Sequence, residues 1–194
     1  MRSVAFASCL IACHLLTCQV MAADTKPAIP PGDPPPLGTA SFTPPTKNVE
    51  TPLTAANFVT RAAVTNLMEV ELGNMAQAKS SNPQIKTYAA QLIADHRAAQ
   101  TQLKAPAAQA KLAMPGEIDV ERQQVRDQLA ALDGRAFDAK FVEVMASSHD
   151  EAVTLFEAAS KSPELTKELR QYAGTMLPKL QAHAQAAHEF SSAH

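Results

Sequence analysis

Four stretches between residues 54 and 187 repeat apolar side chains at three- and four-residue spacing, the period of a helix that buries one face. Phe58, Ala62, Thr65, Met68, Leu72 and Met75 make the first stripe, and Ile85, Tyr88, Leu92, His96, Ala99 and Leu103 the second. Phe137, Phe141, Met145, His149, Ala152 and Phe156 make the third. Leu165, Leu169, Tyr172, Met176, Leu180, His183 and Ala187 make the fourth. Good helix formers fill the positions between, with few β-branched runs. A chain patterned this way is confined to an all-α fold whose helices cover one another's stripes.

Prolines and glycines punctuate the pattern. Asn82 as N-cap with Pro83 at the first helical position predicts one helix start, and Ser162-Pro163 predicts another. Pro106 and Met114-Pro115-Gly116 are expected to end the second helix. A short helix over 118–132 should stop at Asp133-Gly134, and Pro178 should kink the last helix. Aligning Pro83 with Pro163 pairs Ala78-Lys79-Ser80-Ser81-Asn82 with Ala158-Ala159-Ser160-Lys161-Ser162, and Glu69 with His149, so the halves resemble two copies of one hairpin. The roughly 28 residues between them are too many for a tight turn and can cross the length of a bundle. The expected fold is therefore a ferritin-like four-helix bundle: two hairpins joined by a long crossover containing a short helix.

Each stripe also carries ionisable groups: Glu69 and Glu71, His96, His149 and His183. Such groups are costly on a buried face unless paired, ligated or wet. With the crossover, they fall about 15 Å (Glu69), 20 Å (His96), 24 Å (His149) and 10 Å (His183) from one end of the bundle. A plain up-down-up-down order would send His183 about 30 Å down, away from the others.

The first residues read as an export signal. Met1-Arg2 is followed by a mostly apolar run and by Val20-Met21-Ala22-Ala23, a small-residue cleavage pattern. Cleavage there leaves a mature chain with no cysteine, because Cys9, Cys13 and Cys18 all lie in the leader. Leu10-Ile11-Ala12-Cys13 resembles a lipoprotein box, with a weaker one before Cys18, but ordinary secretion to the periplasm or beyond ranks ahead of lipidation. Prolines crowd residues 24–52, which suits an extended linker. The expected organisation is a signal peptide over 1–23, this linker, one helical domain over 53–190 and a short tail over 191–194. No later run is long enough to span a membrane. Lys and Arg total 17 against 19 Asp and Glu, and Trp is absent, so nothing points to nucleic acid.

Several segments resemble a known bacterial family: AVTNLMEVELGNMAQA (63–78), NPQIKTYAAQLIADH (82–96), LDGRAFDAKFVEVMASSH (132–149) and MLPKLQAH (176–183). Together they are similar to the exported family catalogued as domain of unknown function 4142, grouped with ferritin-like four-helix proteins. The resemblance covers residues 53–190 and implies export, a periplasmic or outer-membrane-associated location and the bundle fold. It implies no activity. Glu71, Asp95-His96, His149 and His183 fall within its motifs.

A ferritin-type di-iron centre needs two Glu-x-x-His motifs, and here Ile93 and Leu180 stand where those carboxylates belong. That argues against iron storage. A single transition-metal ion (Zn, Cu or Fe) is the alternative, held by Glu69 or Glu71 with His96, His149 and His183, and with Asp95 orienting His96. Met68, Met145 and Met176 would tilt such a site toward Cu(I), although methionine is an ordinary gap-filler in helical cores. There is no phosphate-binding glycine loop and no serine elbow, which argues against an enzyme. The first reading is a binding or structural module of the cell envelope with protein partners there. The second is a periplasmic metal-binding protein, and the third a metal-dependent oxidase.

Overall fold

The computed structural model describes residues 52–192, which form five helices and no strand. They are α1 (Ala55–Lys79), α2 (Pro83–Gln109), α3 (Val120–Ala130), α4 (Gly134–Lys161) and α5 (Lys167–Ser192). The expected signal peptide, nearly all of the expected linker, and Cys13 and Cys18 lie outside the described residues. None of the described helices is long and apolar enough to cross a membrane.

Most helix starts follow from local chemistry. The Thr54 hydroxyl accepts the Asn57 amide at 3.2 Å, the Asn82 side chain accepts the Gln84 amide at 2.9 Å, and Asp119 accepts the Arg122 amide at 2.9 Å. Asp133-Gly134 starts α4 where a stop for the short helix was expected, with Gly134 in the left-handed region at φ 54°. Ser162-Pro163 does not open α5 either: residues 163–166 form a turn, and the helix begins at Lys167.

Both internal prolines are carried inside continuous helix. Pro106 lies three residues before the end of α2, and Pro178 lies within α5. The carbonyls that lose their donors belong to Gln102 and Gly174, both exposed residues, so water can take the place of the missing bond. The chain leaves α2 beyond Pro106, where Lys111 turns left-handed (φ 57°) and the Leu112 amide donates to the Ala107 carbonyl at 2.9 Å.

The helices pair as two hairpins, α1 with α2 and α4 with α5, and α1 also lies against α4 and α2 against α5. Phe58 meets Phe156, and the far end of α1 meets the start of α4 through Lys79 and Asp133, so these helices are antiparallel. Tyr88 near the start of α2 meets Phe190 near the end of α5. It follows that α2 and α4 run in the same direction, and the segment containing α3 is the crossover that makes this possible. Gly73 sits where α1 approaches α2 closely: a Cβ there would lie 2.7 Å from Ile93 Cγ1 and 3.3 Å from the Ala89 carbonyl. Gly73→Val is expected to cost about 1–3 kcal/mol by overpacking, measurable by urea unfolding.

The core is divided in two. One apolar cluster surrounds Phe58, Phe156 and Tyr172; the other surrounds Tyr88, Phe137 and Phe141. Between them lies a polar layer to which every long helix contributes: Asn66 and Glu69, His96, His149 and His183, all buried.

Candidate metal centre

Three imidazoles from three helices converge in that layer. Ring centroids of His96, His149 and His183 lie 5.2–5.6 Å apart, and one nitrogen from each lies within 4.8 Å of the others. Tetrahedral coordination at about 2.0–2.1 Å sets ligand atoms about 3.3 Å apart, so each ring need move inward by about 1 Å or less to grip an ion.

The hydrogen bonds fix which nitrogen faces inward. His149 Nδ1 donates to the Met145 carbonyl at 2.8 Å, leaving Nε2 as a bare lone pair. His183 Nε2 donates to Asp95 Oδ2 at 3.1 Å, leaving Nδ1. His96 Nδ1 donates to Asn66 Oδ1 at 3.0 Å, leaving Nε2; the Asn66 amide group is in turn oriented by donating to Gln100 and to the Tyr172 hydroxyl. These three inward nitrogens are buried and have no hydrogen-bond partner among the described residues. A core hydrogen-bond network needs a donor for every acceptor. Here three acceptors lie together, and no side chain or backbone group among the described residues donates to any of them.

Electrostatics keeps the lone pairs free of protons. Burial pushes His149 down to about 4 and His96 well below the usual imidazole value, with neighbouring imidazoles adding to the effect at His96. His183 is lowered as well, first by burial and then by His149, against the pull of Asp95. Burial raises Glu69 to about 7, opposed by the hydrogen bond from Ser148 and by His183. Ser148 Oγ donates to Glu69 Oε1 at 2.7 Å, while the buried Oε2 has no partner among the described residues.

The two candidate glutamates part company. Glu69 is fully buried in the polar layer, whereas Glu71 is turned outward, 41% exposed, with Arg126 3.7 Å away. Asp95 does not orient His96, its neighbour in sequence; it reaches across to His183 on α5, and also pairs with Lys179 and accepts from Gln91 at 2.5 Å. Partial burial works to raise Asp95, but the hydrogen bonds from Lys179, Gln91 and His183 overcome it and hold the carboxyl down at about 2. Tyr88 fixes α5 at the same level by donating its hydroxyl to the His183 carbonyl at 3.0 Å. Asn66, Ser148 and Lys179 were not singled out from sequence, yet Asn66 lies three residues before Glu69 and Lys179 four before His183, on the same helix faces.

No curated protein matches the chain. Two solved structures share its fold. A DUF305 fragment from Deinococcus radiodurans is 13% identical with a TM-score of 0.62, covering 72% of this chain and 96% of its own. CopM in the Cu(II)-bound form is 17% identical with a TM-score of 0.61, covering 73% of this chain and 98% of its own. Residues 40–190 match the family described as Domain of unknown function (DUF4142), and the chain belongs to that family.

Proposed function

We propose that this protein is an exported metal-binding module that holds one divalent transition-metal ion, zinc or copper, at His96, His149 and His183. The observation that carries this reading is the set of three buried, unpartnered imidazole nitrogens, each with its opposite nitrogen already engaged. A second polar partner behind each imidazole is how proteins fix the tautomer and ring orientation of metal-binding histidines. All-imidazole donors suit zinc and copper. CopM is a Cu(II)-bound protein of similar fold, which makes Cu²⁺ an ion to test beside Zn²⁺. Glu69 comes from the remaining helix, and its buried carboxylate, with one oxygen unpartnered among the described residues, supplies negative charge to offset the ion. The sequence of residues 1–52 supports export and an extended spacer ahead of the module.

Binding sets this reading ahead of a purely structural module. Calorimetric titration of the metal-free mature protein, made without a His-tag, is expected to show one ion per chain for Zn²⁺ and Cu²⁺. The His96→Ala/His149→Ala variant should show none. Absence of stoichiometric binding in the unmutated protein would leave the triad a structural core.

A further inference from the structure

An ion bound at a buried triad needs a way in, and among the described residues a cleft lies against two of the three imidazoles. On the α1 and α4 side the fully buried Glu69 and its Ser148 partner close the layer. Toward the two ends the aromatic clusters of the divided core close it. Between α2 and α5 there is instead a narrow cleft of about 10 Å³, room for about one water molecule. His96 and His183 line it together with Asn66, Met176, Asp95 and Lys179. His149 does not line it, so the cleft reaches the triad from the side of the other two imidazoles.

At the cleft the ion pair of Lys179 and Asp95 joins α5 to α2. Lys179 is 49% exposed and Asp95 only 12%, so the lysine covers the carboxylate from the solvent side. Asp95 also holds His183, which ties the pair directly to the triad.

We propose that the metal ion enters and leaves through the cleft between α2 and α5, and that the Asp95–Lys179 ion pair is the latch that closes it. This rests on the metal-binding reading of the triad. Breaking the pair frees Lys179 to swing into solvent, removes a positive charge from the path of an incoming cation, and exposes Asp95 as a first anionic contact. The latch slows exchange in both directions, and therefore sets how long the protein keeps its ion more than how tightly it binds.

The test is stopped-flow exchange of Zn²⁺ with the full mature protein, following uptake by metal-free protein and release into an excess of chromophoric chelator. Lys179→Ala is expected to speed uptake and release together by about fivefold, the factor that roughly 1 kcal/mol of closed-state stabilisation supplies. Lys179→Arg keeps the pair and should keep the unmutated rates, as should Lys140→Ala, whose ammonium pairs with Glu143 on α4 and does not line the cleft. Faster uptake with slower release in Lys179→Ala would be a plain charge effect and would overturn the latch. Unchanged rates alongside one-to-one Zn²⁺ binding would overturn the latch while leaving the metal site standing. Failure of the unmutated protein to bind Zn²⁺ or Cu²⁺ at all would overturn both.

Discussion

Saturating Zn²⁺ is expected to raise the melting temperature of the metal-free protein by about 10 °C or more, and His96→Ala/His149→Ala should abolish the rise. The magnitude follows from linkage. A ligand that binds only the native state at 1,000 times its Kd adds about 4 kcal/mol, and a bundle of this size moves by a few degrees per kcal/mol. The native state alone offers the site, because the imidazoles come from three helices far apart in sequence. In the unfolded chain they are independent, weak ligands. Scanning calorimetry with and without Zn²⁺ on both proteins reads the effect. In the absence of metal, the same histidines burden the fold with inward acceptors that have no donor. Replacing the triad with apolar residues of similar size should therefore leave the metal-free protein as stable as before or more so, while removing all response to Zn²⁺.

The second large effect is on pH. The folded-state value of His149 lies at about 4, below its ordinary 6.5, so the native protein binds fewer protons than the unfolded chain across that interval. Its contribution is full above pH 6.5 and is lost as pH falls toward 4, worth about 3 kcal/mol by linkage. His96 and His183 are shifted the same way and add to the loss. Glu69 acts in the opposite sense: it is raised from 4.5 to about 7, so its contribution is present below 4.5 and is lost as pH rises through 7. Three groups against one leave a net fall in the stability of the metal-free protein between pH 6.5 and 4. Urea unfolding at pH 7.5 and pH 5 is expected to show that fall. His149→Phe should flatten it. Glu69→Gln should steepen it, and should also stabilise the metal-free protein at pH 7.5 by removing an ionised buried carboxylate.

Much of this architecture is written locally. Asn82-Pro83 marks the start of α2 because proline's fixed φ and missing amide suit the first helical position. Ser162-Pro163 offers the same kind of signal, a capping residue before a proline, without the same result, because the chain turns after Ser162 and α5 begins only at Lys167. Each histidine is legible as a stripe residue of its own helix, and only the crossover topology brings His183 level with His96 and His149. Sequence could not choose between Glu69 and Glu71, since two residues on a helix diverge by about 200°. The choice is made by the face that buries Ala62, Asn66, Glu69, Gly73 and Ala76 together. Asp95 shows the converse limit. Lying about 100° around the helix from His96, it cannot serve its neighbour and finds its partner on another helix. Side chains that act across helices, as Asn66, Ser148 and Lys179 do, leave no local signature beyond sharing a face with the residue they support.

The division of the core explains why the polar layer can exist at all. Each apolar cluster packs its own aromatic group, with Phe58 and Phe156 centroids 5.2 Å apart in one and Phe137 and Phe141 stacked at 5.9 Å in the other. The bundle is held above and below the histidines, so the layer between is free to be specialised for binding at a cost in stability.

Metal binding by the triad is tested by a crystal structure of the Zn²⁺-loaded mature protein with anomalous data collected at the zinc edge. One strong peak is expected in the polar layer, bonded at about 2.0–2.1 Å to His96 Nε2, His149 Nε2 and His183 Nδ1. A peak only at the surface pair of His188 and Asp150, which lie 3.0 Å apart, or no ordered zinc at all, would contradict it.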